Sequence, residues 1–149
     1  MGAVARRPVA WVGAVALWAE AVGVALLNWF LGLVVDEQDM SLAGLDPHAM
    51  SVSAWIMGGV FALYLALCGL LLARTAVRDR APGGLGRLLL ISAAVVHGLL
   101  GAFAVGLLGW AAFAGLMVVL GLIVLTLVAY ERHEQRHERY EEGGAPQAA

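Results

Sequence analysis

Two sets of residues in this chain have types and spacings suited to chemistry. The first is His133-Glu134-Gln135-Arg136-His137, which reads H-E-x-x-H. Two histidines four apart share a helical face and can hold a zinc ion between them, with the intervening glutamate placed to activate a bound water. The surroundings do not complete such a site. The segment is made mostly of Glu, Arg and His, offers no apolar face for a pocket, and has no structured neighbour to supply a third ligand. A zinc site at His133, Glu134 and His137 is therefore rejected in favour of a solvated helical extension, and neither metal nor cofactor is expected.

The second set is Glu20, Asn28, Tyr64 and His97, each inside a long apolar stretch. An ionisable side chain at that depth is costly and is a functional hypothesis by default. Glu20 falls about 16 Å from the start of its stretch, and His97 about 13 Å from the start of another running in the same direction. Tyr64 comes to a similar level and Asn28 lies two turns further along. The expectation is one hydrogen-bonded intramembrane cluster in which a proton can shift between carboxyl and imidazole. The plainer expectation is a network that only fixes packing. Trp11, Trp18 and Trp29 share a helical face, with Glu20 about 200° away from Trp18. The tryptophans are expected to face lipid and the glutamate to face other helices. Haem would require a second membrane histidine, which the chain lacks.

The elements that must position these residues follow from composition. Of 149 residues 62% are hydrophobic and 13% charged, whereas soluble domains carry about 25% charged residues. Four apolar blocks, about 9–35, 47–73, 88–109 and 110–130, each reach the roughly 20 residues that cross a bilayer as a helix. The chain is thus expected to be an all-α polytopic membrane protein, a single domain of four transmembrane helices over 1–130 arranged as a bundle. Residues 131–149 form a charged helical extension and tail. The first block is too long for a signal peptide's apolar core and is kept as an anchor.

All nine basic residues are arginines, and they fall before the first block, between the second and third, and after the fourth. The intervening outer segment carries Asp36, Glu37, Asp39 and Asp46. The positive-inside rule places both termini in the cytoplasm and the protein in the cytoplasmic membrane. A net charge of -2 gives no reason to expect nucleic acid. One cysteine, Cys68, excludes an internal disulfide and reads as an apolar filler.

Local signals refine the picture. Asp46-Pro47 is a helix start, with the carboxylate as N-cap and proline at the first helical position. The loop "RTAVRDRAPGGLGR" lacks the phosphate-loop pattern and reads as a turn whose arginines meet headgroups. Gly109-Trp110 leaves almost no loop between the last two blocks, which forces an antiparallel hairpin. Small residues recur every fourth position at Ala54, Gly58, Ala62 and Ala66, and again at Ala94, Gly98, Ala102 and Gly106. Such ridges let helix backbones approach closely in lipid.

The stretch "LWAEAVGVALL" resembles the first-helix signature of small multidrug resistance transporters. That resemblance implies a glutamate, here Glu20, followed closely by glycine, here Gly23, that binds drug and protons alternately. The chain departs from that family in its length, its long first loop, its third block "LLLISAAVVHGLLGAF", and a charge bias that specifies one orientation. Over its whole length, "LNWFLGLVVDEQDMSLAGLDPHAM" included, it resembles small integral membrane proteins of high-GC actinobacteria, which implies no catalytic residues. The functional expectation is an accessory or interaction protein within a larger membrane assembly, its partners the bilayer and another membrane protein or further copies of itself. The alternative is an oligomeric proton-coupled transporter using Glu20, and third a membrane-embedded enzyme.

Overall fold

The computed structural model describes residues 3–39, 41 and 44–143, and within these the side chains of all but 3–5, 133, 134 and 136–143. Among the described residues all regular structure is helical: α1 (Ala3–Glu37), α2 (Pro47–Arg78), α3 (Gly84–Leu107) and α4 (Trp110–Gly143). Each contains a span long and apolar enough to cross a membrane: Arg6–Glu37, Pro47–Arg78, Gly84–Leu107 and Trp110–Arg132. The helices overrun the apolar blocks at several ends. Hydropathy marks where a helix meets hydrocarbon, whereas the helix itself runs until a residue stops it.

Those stops are visible in the sequence. Asp46 caps α2 by accepting a hydrogen bond from the Ala49 amide at 3.0 Å, with Pro47 as the first helical residue. Asp79, directly after α2, adopts a left-handed φ of 51°, a conformation that aspartate tolerates better than most residues. After α3 the Leu108 and Gly109 amides both donate to the Ala104 carbonyl at 2.8 Å. Gly109, at φ 88°, then reverses the chain directly into α4.

The chain divides into two compact units, Val15–Gly69 and Met1–Ala14 with Leu70–Ala149. In the first, α1 packs on α2 through aromatic and small residues. The Trp18 indole donates to the Ala66 carbonyl at 3.2 Å. The Trp55 indole donates to the Trp29 carbonyl at 3.1 Å, and the two rings stack at 5.5 Å. Gly32 and Gly58 make the approach possible, because a Cβ on Gly32 would run into Trp55 and one on Gly58 into Asn28. Trp11 and Trp29, expected to look toward lipid, are 41% and 59% exposed, while Trp18 and Trp29 also touch α2 and the fully buried side of α1 in its apolar span is that of Ala10, Ala14 and Leu17.

In the second unit α3 and α4 form an antiparallel hairpin. Gly101 lies against Met117 and Phe113, Gly98 against Leu120, and Arg87 pairs with Glu131. The pairs 101/117, 98/120 and 87/131 are each symmetric about Gly109, as a hairpin with no slip requires. Leu90, Ala93, His97, Gly101 and Ala104 make the buried stripe of α3, at the three- and four-residue steps of one helical face. A small core of Ala10, Ala76 and Tyr130, with Ala81 beside it, closes the end that carries the arginines.

The glycine contacts give a paired test. Gly58→Ala should lower the thermal stability of the detergent-solubilised protein by about 1–3 kcal/mol through overpacking. Gly59→Ala, with nothing within 4 Å of its Cβ position, should be neutral or slightly stabilising, since alanine is the better helix former. Melting curves followed by circular dichroism would show it, and equal effects of the two substitutions would contradict the packing described.

Candidate functional sites

Glu20, Asn28 and Tyr64 belong to the unit Val15–Gly69, and His97 belongs to the other. Within the first unit α1 meets α2 through Trp18, Asn28, Trp29 and Gly32. At about 100° per residue these fall on one stripe, and the half-buried Glu20 is rotated from Trp18 by about 200°, on the other flank of the buried side formed by Ala14, Leu17 and Ala21. Tyr64 is on the far side of α2 from Trp55, Gly58 and Ala66 by the same rotation. Its ring stacks on Phe61 at 6.0 Å, and its hydroxyl shares a hydrogen bond with the Cys68 thiol. Asn28 sits in the α1/α2 contact, against Gly58, and donates to the Val24 carbonyl at 3.0 Å. Asn28 thus lies in the α1/α2 contact of this unit, and Glu20 and Tyr64 are each half-buried.

His97 is 1% exposed, at the centre of the buried stripe of α3. Its Nδ1 lies 2.7 Å from the Ala93 carbonyl one turn back. A carbonyl oxygen only accepts, so Nδ1 carries the proton in that contact, and in the neutral ring Nε2 is the nitrogen with the lone pair. The geometry thus fixes which edge of the ring can take a proton.

A second site, which sequence reasoning passed over, lies at the arginine-bearing end. Arg7 donates from Nε to the Ala76 carbonyl at 2.9 Å and from Nη2 to the Val77 carbonyl at 3.1 Å. These are last-turn carbonyls of α2, which have no partner within their own helix, and a cation there also complements the helix dipole. Arg6 turns inward and is only 8% exposed. Its Nη2 lies 3.9 Å from Asp79 Oδ2, and its guanidinium carbon lies 5.7 Å from the Tyr130 ring centroid. That places a cation over an aromatic face. Arg6 Nε, Asp79 Oδ1 and the Tyr130 hydroxyl are buried with no hydrogen-bond partner. Arg6 and Arg7 thus tie the start of α1 to the end of α2. One signal in the sequence pointed here: Asp79 is the sole acid among Arg74, Arg78, Arg80 and Arg87, at a helix end.

The third polar feature is the Arg87–Glu131 ion pair at 2.9 Å, with both side chains about half exposed. It stands where the apolar parts of α3 and α4 give way to charge. The side chains of His133, Glu134 and His137 lie outside the described residues, although α4 continues as helix through them. The sequence matches no family model, no curated protein and no solved structure.

The Tyr130 contact separates ring from hydroxyl. Tyr130→Phe should change stability by less than about 1 kcal/mol, because the hydroxyl it removes interacts with Asp79 without a well-formed hydrogen bond and the ring face beside Arg6 is kept. Asp79→Ala should cost about 1–2 kcal/mol by leaving the buried Arg6 without its counter-ion, less than a fully buried pair because Asp79 is partly exposed. Thermal unfolding of the two variants in the same detergent would check the order, and the reverse order would remove the proposed role of the ring face.

Proposed function

We propose that this chain is an accessory or interaction protein of the cytoplasmic membrane, a four-helix bundle with both termini in the cytoplasm that acts as a subunit or scaffold of a larger assembly. The orientation rests on the arginines, all of which fall in the segments on one side. The function rests on the small-residue ridge of α3. Its first half, Ala94 and Gly98, is half-buried, while Ala102 and Gly106 are exposed, and no atom comes within 4 Å of a Cβ on Gly106. Leu99, Phe103 and Leu107 stand exposed beside them. A small step bordered on one side by large apolar side chains is the kind of surface onto which another membrane helix packs closely.

The double substitution Ala102→Leu with Gly106→Leu fills this step without touching the described core. Cross-linking in native membranes, followed by purification of a tagged chain, should recover a specific partner or a second copy with the wild type. The variant should lose it at least about tenfold, the order expected when close packing is lost, while keeping its helix content. Coexpression of two differently tagged copies separates self-association from a foreign partner. A wild type that is monomeric and alone in its own membranes would sink the reading.

The second reading, an oligomeric proton-coupled transporter using Glu20, is supported by the half-buried position of this carboxyl inside an apolar span. Carboxyl infrared spectroscopy in bilayers, with Glu20→Gln as the assignment control, tests it. A Glu20 band that titrates between about pH 5 and 9 and responds to ligands moves transport to first place. A band locked in one form at every pH removes it.

A further inference from the structure

We infer that the groove between α3 and α4 binds a phospholipid with a primary-amine headgroup, one acyl chain in the groove, its phosphate on Arg87 and its ammonium on Glu131. The groove encloses about 420 Å³. Its walls are apolar side chains, among them Ile91, Ala94, Val95, Leu120, Val124 and Val128, and among the described residues the charged ones lining it are Arg87 and Glu131. Ile91, Val95, Val124 and Val128 are exposed, so the groove opens sideways, on parts of α3 and α4 apolar enough to lie in hydrocarbon.

The occupant is chosen by charge. Arg87 and Glu131 are held side by side at 2.9 Å where the apolar spans end, the level at which a headgroup lies when its chain fills the groove. A guanidinium recognises phosphate by paired hydrogen bonds. A carboxylate accepts hydrogen bonds from a primary ammonium, but has no such bond to make with a quaternary one. An ethanolamine-type headgroup carries a phosphate and a primary ammonium on a short linker, the mirror image of this pair. An anionic headgroup would satisfy Arg87 and be repelled by Glu131. Both side chains are about half exposed, and an exposed ion pair is weak enough for a ligand to open. The small residue Ala94 and the rotation of Val95 away from α4 leave the space for a chain. The groove lies nearer the start of α3 than Ala102 and Gly106, so this inference and the partner reading above fail separately.

The test uses the full chain, purified in mild detergent and offered equal amounts of phosphatidylethanolamine, phosphatidylcholine and phosphatidylglycerol, with retained lipid identified by native mass spectrometry. The expected result is retention of phosphatidylethanolamine about three- to tenfold above either competitor, the worth of one partly exposed charge-assisted contact. Glu131→Gln should lose the advantage over phosphatidylcholine, and Arg87→Gln should weaken retention of all three. Val124→Trp, on an exposed groove wall, should abolish retention while leaving helix content unchanged. Wild-type selectivity requires no variant, so a poorly folding substitution does not protect the inference. Equal retention of the three lipids by the wild type, or preference for phosphatidylglycerol, overturns it. So does a partner protein that cross-links through position 124 in place of lipid, since the groove would then be a helix-docking face.

Discussion

Hydrocarbon offers no hydrogen bonds, and most of this chain is built for hydrocarbon. Each polar side chain within the apolar spans must therefore find its partner inside the protein. The structure meets that demand locally. Thr75 donates to the Leu71 carbonyl, Thr126 to Leu122 and Asn28 to Val24, each one turn back along its own helix, and His97 contacts Ala93 in the same way. The indoles of Trp18 and Trp55, and Arg7 at the end of the span, reach across to the backbone of another helix. Where side chains bond back to their own helix, association of helix with helix rests on close approach. This is why Gly32, Gly58 and Gly101 sit where a Cβ would collide with a neighbour.

At the arginine-bearing end the rules change, because charge becomes tolerable and helix termini expose unpaired carbonyls. Arg7 supplies donors to the end of α2, and Arg6 places its cation over Tyr130 beside Asp79. The same two residues serve topology and structure. Their charge is what the proposed orientation rests on, while their planar donor arrays secure contacts that a lysine's single ammonium would not reproduce in the same geometry.

Much of the architecture was legible in the sequence because bilayer thickness imposes a length on apolar blocks, and helix starts and turns have residue signatures such as Asp46-Pro47 and Gly109. Less legible was direction. Helical rotation gives the angle between Trp18 and Glu20, but it does not say which of the two faces a neighbour, since a tryptophan suits lipid and helix contact equally well. The Arg6–Asp79–Tyr130 grouping was hidden for a different reason. It joins three segments remote in sequence, and each residue has an innocent local explanation: an orientation signal, a helix end and the close of an apolar span. His97 was identifiable as buried, but the choice of Nδ1 as its donor depends on the carbonyl that faces it.

The α3 ridge shows how geometry turns a sequence pattern into a functional argument. A four-residue step on an α-helix advances about 400°, so a ridge repeated every fourth residue rotates by about 40° at each step. Ala94 and Gly98 therefore lie near the α4 side, and by Ala102 and Gly106 the ridge has rotated away from it, which is why the latter two are exposed. Packing against α4 cannot by itself explain small residues at these positions, since Gly101 already provides the close approach at that level. Glycine also weakens a helix relative to alanine when nothing is gained by it. A ridge that continues past the point where its first neighbour can use it is most economically explained by a second neighbour, and the exposed Phe103 and Leu107 along one side of it provide an apolar border for such a contact.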